Sequence, residues 1–166
     1  MVSAVSSNAD YTTYDNHDLF GNDFRTIRGI DLLSCVSACR QESQCQAYSF
    51  DKWNRFCFLK SDVDELRIDP RSISGVRLGA PTPAISSIPI SMERYRDKYF
   101  PGSGYKSITN SSVDICETAC QSESACLAFS FQKAAHRCQL FDNTGEYFSN
   151  KGVDSGAKRQ IRQVIE

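Results

Sequence analysis

The chain has 166 residues, 19 basic against 20 acidic side chains, and 40% apolar residues, the profile of a globular protein rather than a fibre or a disordered tail. No run approaches the ~18 consecutive apolar residues that a membrane-spanning helix needs, and a net charge of -1 gives nucleic acid or anionic lipid no bulk attraction. A membrane span and an electrostatic nucleic-acid binder are therefore set aside.

The opening MVSAVSSNAD has neither a basic nor an apolar region of the kind a signal peptide carries, and residues 1–13 read as an N-terminal arm. Asp31 is placed to cap a helix, its carboxylate accepting from the first unpaired N–H groups, and the helix is expected to run to about Glu42. On it Cys35 and Cys39 stand four residues apart and share a face. The next segment, CQAYSF, alternates with period two, which puts Cys45, Ala47 and Ser49 on one side and Tyr48 and Phe50 on the other. The small residues on the cysteine side are the expected seat of the helix. A polar turn, DKWNR, leads to a second strand that carries Cys57 and Leu59, so the unit reads as a helix packed on a β-hairpin.

The same pattern then returns. Cysteines stand at 35, 39, 45 and 57 and again at 116, 120, 126 and 138, so that C-x3-C-x5-C-x11-C is written twice at an offset of 81. Slid against itself at that offset without gaps, the chain shows 18 identities over the 64 positions from 14 to 77, among them Ala47/Ala128, Ser49/Ser130, Phe50/Phe131 and the pair Ser74-Gly75/Ser155-Gly156. Ser112 falls where Asp31 stands and takes the same capping role. The chain is thus two copies of one module, 14–78 and 94–165. They are joined by a linker over 79–93 whose GAPTPAISSIPIS core has three prolines and no charge and reads as semi-extended.

The cysteines admit several chemistries. Structural zinc favours paired C-x2-4-C knuckles, which gaps of five and eleven fit poorly, and a redox site would want C-x-x-C beside a βαβ unit. A cysteine nucleophile would leave a thiol with no repeat partner, whereas all eight have one. Disulfides remain, and with them an oxidising compartment: extracellular, periplasmic or cell-surface. Cys35–Cys57 with Cys39–Cys45 would suit the helix and hairpin, as would Cys116–Cys138 with Cys120–Cys126. Four cysteines nevertheless allow three pairings, and spacing does not choose among them. By loop-closure entropy a closed loop of about 23 residues contributes roughly 3 kcal/mol and one of about 7 residues roughly 2. A unit of about 65 residues buries so little core that such staples decide whether it folds.

The cysteine array, the A-[YF]-S-F strand after the third cysteine, the C-x-L strand after the fourth and the closing SGVR or SGAK resemble the PAN/Apple superfamily, twice and over nearly the whole chain. The resemblance implies an α+β fold for each module: a curled antiparallel sheet of about five strands round one helix, with two bridges paired as above. Larger Apple domains carry a third bridge joining the module's ends, and both copies lack its cysteines, as in the four-cysteine PAN form appended to secreted bacterial proteins. Family-typical ligands are proteins and carbohydrates.

Little in the chain points to catalysis. His17 and His136 occupy non-equivalent positions in the copies and read as solvated side chains. The acidic run Asp62, Asp64 and Glu65, with Asp142 and Glu146 in the second copy, lacks the D-x-D-x-D-G loop of a calcium site and reads as a solvated turn, and no pattern calls for a cofactor or a metal. Asn110-Ser111-Ser112 is an N-glycosylation sequon. The expected binding residues are those of the hairpin tip, Lys52, Trp53, Asn54 and Arg55, with Lys133, His136 and Arg137 in the second copy. Trp53 has two readings, an exposed contact or an edge of the core. Copy one holds nine basic and ten acidic residues and copy two ten and seven, so the frame is retained while the surfaces diverge. The chain is expected to be a monomeric, non-catalytic recognition module from a larger exported protein, binding protein or carbohydrate. A disulfide-stapled spacer is the alternative, ahead of a metal-binding or enzymatic domain.

Overall fold

Each copy begins from the same two local decisions, a capped helix and a serine-bearing strand. In the structure, a computed structural model describing residues 10–161, Asp31 Oδ1 accepts from Ser34 N at 2.8 Å and Ser112 Oγ accepts from Ile115 N at 3.2 Å. Most of the N-terminal arm, residues 1–9, lies outside the described residues.

The chain divides into two compact units at Ile88 and Pro89. The first contains β1 (Tyr11–Leu19), β2 (Asp23–Arg28), α1 (Leu32–Gln41), β3 (Ala47–Asp51), β4 (Phe56–Lys60), β5 (Glu65–Arg77) and β6 (Ala84–Ile85). Its sheet runs β1-β5-β3-β4-β2, all antiparallel, with β6 added parallel to β5. The second contains β7 (Ser91–Tyr95), β8 (Lys98–Tyr99), β9 (Lys106–Ile108), α2 (Val113–Ser122), β10 (Ala128–Gln132), β11 (Arg137–Phe141), β12 (Phe148–Ser149) and β13 (Val153–Arg159). Its sheet runs β7-β13-β10-β11-β9, and β8 pairs with β12 in a separate ribbon.

The offset of 81 holds in the strand register as well as in the sequence. Tyr14 faces Ser74 and Tyr95 faces Ser155; Asp18 faces Arg67 and Tyr99 faces Phe148; Ile27 faces Cys57 and Ile108 faces Cys138. Asn16, at the bulge in β1, and Asp97 both take positive φ, 60° and 59°, and both are residue types that tolerate it.

Four disulfides close the modules: Cys35–Cys57, Cys39–Cys45, Cys116–Cys138 and Cys120–Cys126, with Cα separations of 5.5, 5.3, 5.4 and 5.1 Å, all inside the range a disulfide accepts. One of each pair ties the helix to the sheet and the other pins its C-terminal end.

Each helix sits on the aromatic side of the hairpin, not on the small-residue side. Tyr48 and Phe50 share one cluster with Cys35, Val36, Cys39 and Cys57, while Ala47 packs on the far face with Leu19, Leu66 and Val76. The reason lies in Gly75. A Cβ there would come within 2.3 Å of the Tyr48 ring, and at Gly156 within 2.3 Å of the Phe129 ring, so glycine on β5 and β13 provides the space in which the aromatic lies flat. The S-G-x-[RK] ending is thereby explained residue by residue. The serine bonds on the far face, the glycine admits the ring, and the cation closes the helix: Arg77 donates to the Cys39 carbonyl at 2.8 Å and Lys158 to the Glu123 carbonyl at 2.8 Å.

The linker segment is partly structured. Ala84–Ile85 pairs with Glu65 and Leu66, and Pro83 and Ser86 are buried, because β5 runs past β3 and leaves an open edge that β6 covers. β1 starts at Tyr11 and β7 at Ser91, each three residues ahead of the edge of the sequence repeat.

Candidate functional site

The sheet face away from the helix carries the polar chemistry of both modules. Its centre is a pair of buried serines. Ser49 Oγ lies 2.7 Å from Ser74 Oγ and accepts from Leu19 N at 3.0 Å, and Ser74 Oγ donates to the His17 carbonyl at 2.9 Å. In the second module Ser130 and Ser155 lie 3.1 Å apart, Ser130 accepts from Phe100 N at 3.1 Å, and Ser155 donates to the Lys98 carbonyl. These bonds hold the strand end at Leu19 or Phe100 across the sheet, and a cleft opens beside it in each module.

In module 1 that cleft has a volume of about 510 Å³ and is lined by Asp18, Phe20, Asp51, Asn54, Lys60 and Arg71, among others. Lys60 is only 3% exposed; its ammonium donates to the Gly21 carbonyl at 2.9 Å and is ion-paired with Asp23. Arg71 reaches Asp69 at 3.4 Å and Asp51 at 3.8 Å. The pairing is incomplete, since Arg71 Nε is buried without a hydrogen-bond partner. Burial lifts the Asp18 carboxyl above the usual carboxylate range, reinforced by Asp69 and opposed by Lys60, Ser49 and Arg71. Exposed Phe20 has the Arg67 guanidinium over its ring at 3.7 Å. The cleft can therefore offer a ligand carboxylate acceptors, cationic donors and an aromatic surface together.

In module 2 the cleft is smaller, about 220 Å³, and is lined by Tyr99, Phe100, Gly102, Ser130, Gln132, Gln139 and Val153. Six of these stand at the register positions of Asp18, Leu19, Gly21, Asp51, Phe58 and Ser72 in the first cleft. Lys60 is replaced by Phe141, which packs edge-on to Phe100 at 6.0 Å, and Phe100 in turn stacks with Tyr147 at 6.4 Å. Aromatic carbon thus occupies the volume that charged side chains hold in module 1.

The hairpin tips divide. Trp53 is 7% exposed and buried, while its N–H and that of Asn54 are held by Asp51 Oδ1 at 2.9 and 3.1 Å in an Asx turn, so the indole does not project to solvent. Asn54 is exposed and lines the first cleft. Lys52 is half-buried; its ammonium donates to Asn16 Oδ1 at 3.1 Å, and burial lowers its pKa to about 8 against the pull of Asp15, Asp69 and Asp51. Arg55 and His136 are exposed and hold the equivalent left-handed turn position, φ 59° and 49°. Lys133 is exposed and paired with Asp97 at 3.4 Å and Asp154 at 3.3 Å. Arg137 is exposed and shares the strand face of Gln139 two residues on. Both clefts escaped sequence reasoning because they are assembled from strand ends up to about 50 residues apart; the available signal was the 81-residue alignment of Ser49 and Ser74 with Ser130 and Ser155 on one face.

The PAN domain family profile matches residues 9–78 and 90–160. An uncharacterized protein of Acanthamoeba polyphaga mimivirus is 33% identical over 52 residues, which is 31% of this chain and 15% of that protein. Among solved structures, the two N-terminal apple domains of Toxoplasma gondii microneme protein 4 align over 86% of each chain with 15% identity and a TM-score of 0.34.

Proposed function

The chain belongs to the PAN domain family through both of its halves, and on that premise we propose that it is a two-site recognition protein that engages ligand through the clefts on the sheet faces away from the helices. PAN domains are generally protein- or carbohydrate-binding modules of extracellular proteins, and four disulfides point to the same oxidising environment. One observation carries the proposal. The same cleft recurs at register-equivalent residues of both modules while its lining changes from charged to amide and aromatic. A scaffold that keeps a cavity and varies its walls has the form of a binding site, because affinity and specificity are set by the few polar groups placed in a concave surface. Non-catalytic recognition and membership of a larger exported protein follow from the same reading.

The test is to screen the immobilised chain against a glycan array and a display library of extracellular proteins, then to re-measure each hit on surface variants. Asn54→Arg in the first cleft or Gln132→Arg in the second should weaken its ligand by about tenfold or more, that is ~1.4 kcal/mol. Leu33→Arg and Ile115→Arg, on the exposed faces of α1 and α2, should leave binding unchanged. The reverse pattern would remove the clefts from the account.

A further inference from the structure

The second cleft is specific enough in its chemistry to name a ligand class, an inference that rests on the cleft reading above. Gln139 is 9% exposed, and its carboxamide makes no hydrogen bond to any described residue although it lines the pocket. The amide atoms open onto the cleft, so both the N–H donors and the oxygen acceptor are available to a ligand. Gln132, which lies across the same wall on β10, likewise has no side-chain hydrogen bond to a described residue. The lining contains no Asp, Glu, Lys, Arg or His. Each carboxamide both donates and accepts, which complements hydroxyl groups, and an uncharged wall penalises a charged ligand, whose desolvation nothing in the lining offsets.

Size and the remaining wall narrow the class. A volume of about 220 Å³ lies below the ~300–1,000 Å³ of pockets for drug-sized ligands and suits a single ring. Tyr99 closes one side and is braced by Phe148 at 5.8 Å and 36° across the β8–β12 ribbon, a rigid aromatic surface on which the C–H face of a sugar can rest. We propose that the module 2 pocket holds one neutral hexose ring, its hydroxyls bonded by the carboxamides of Gln132 and Gln139 and one face laid on Tyr99. Module 1 does not share this specificity, because Asp18 stands where Tyr99 forms the wall and Arg67 where Phe148 braces it.

The experiment titrates the intact 15N-labelled chain with the methyl glycosides of galactose, glucose and mannose, and in parallel with glucuronate, glucosamine and N-acetylasparagine amide. At least one neutral hexoside should move the side-chain NH2 resonances of Gln139 and Gln132. Gln139→Leu should weaken that binding about tenfold or more. Gln132→Leu, at a partly exposed site where folding is less at stake, should weaken it in the same direction. The inference is overturned if either variant, folded by near-ultraviolet circular dichroism, binds the hexoside as the parent does. It is also overturned if glucuronate, glucosamine or the asparagine amide binds as tightly as the best hexoside. Shifts confined to Asp51, Asn54 and Lys60 would overturn it while leaving recognition through the clefts intact, and absence of shifts in both clefts would overturn it while the protein-display screen decides the broader reading.

Discussion

The two modules solve one packing problem with two chemistries. Where module 1 places Lys60 against Asp23 and Arg71 against Asp51 and Asp69, module 2 places Phe141, Phe100 and Tyr147. The disulfides, the serine pair, the glycine beneath the aromatic and the cation at the helix end are common to both. The helix side of the sheet, where side chains interlock around two bridges, thus tolerates little change, whereas the open side accepts either ion pairs or rings. A buried ion pair and a hydrophobic cluster of similar volume contribute comparable stability, so stability alone does not choose between the two linings.

The largest expected difference between the modules is at the hairpin tip. Trp53→Ala should cost module 1 roughly 4 kcal/mol through lost burial and a cavity, whereas module 2 already has Ala134 at that position. Calorimetry should show the first module's transition falling and the second's unchanged; a variant as stable as the parent would return Trp53 to the surface. Next is Phe141→Lys, which places in module 2 the cation that module 1 accommodates. With Gly104 in the position of Asp23, the ammonium has no carboxylate at that position, and a loss of about 3 kcal/mol in chemical denaturation is expected. The converse change, Lys60→Met, removes one partner of an ion pair and should also destabilise, but by less, because the Asp23 carboxylate left behind is partly exposed and can be solvated. If Phe141→Lys is tolerated, the two linings are interchangeable and the comparison fails. Ser112→Ala should then cost about 1 kcal/mol by removing the cap of α2, read as a lowered melting temperature.

The smallest effect is a difference in pH response. Asp18 has its carboxyl raised in the folded state, so the folded module binds its proton more readily than the unfolded chain does. Stability from this group therefore rises as pH falls from neutral toward the ordinary carboxylate range. Asp31 has the opposite sign: hydrogen bonds with Ser34 hold it low, so its contribution is present above the ordinary range and is lost as pH falls through its depressed value. Module 2 has Tyr99 and Ser112 at these positions and lacks both responses. Asp18→Asn should flatten the acid branch of the first module's stability curve, and an unchanged curve would show that this carboxyl is not buried.

The helices, their caps and the hairpin strands were legible in the sequence because each depends on short-range pattern: Asp31 and Ser112 as caps, the period of CQAYSF, the spacing of the cysteines. The pairing of bridges became legible only through the family resemblance. The face on which the helix sits was misread because alternation shows that Ala47 and Tyr48 point opposite ways without showing which way is inward. That is decided by Gly75, far along the chain, whose missing side chain admits the Tyr48 ring. The clefts were illegible for a similar reason. Asp18, Asp51, Lys60 and Arg71 are unremarkable one by one, and only the register of β1, β3, β4 and β5 brings them together.

Hydrogen–deuterium exchange of the intact chain, free and saturated with a ligand from the screen, locates the binding surface. Recognition through the far sheet faces predicts protection in residues 18–23, 54–60 and 71–72, or in 99–104, 132–139 and 153, with α1 and α2 unchanged. Protection confined to the outer faces of α1 and α2 would contradict it.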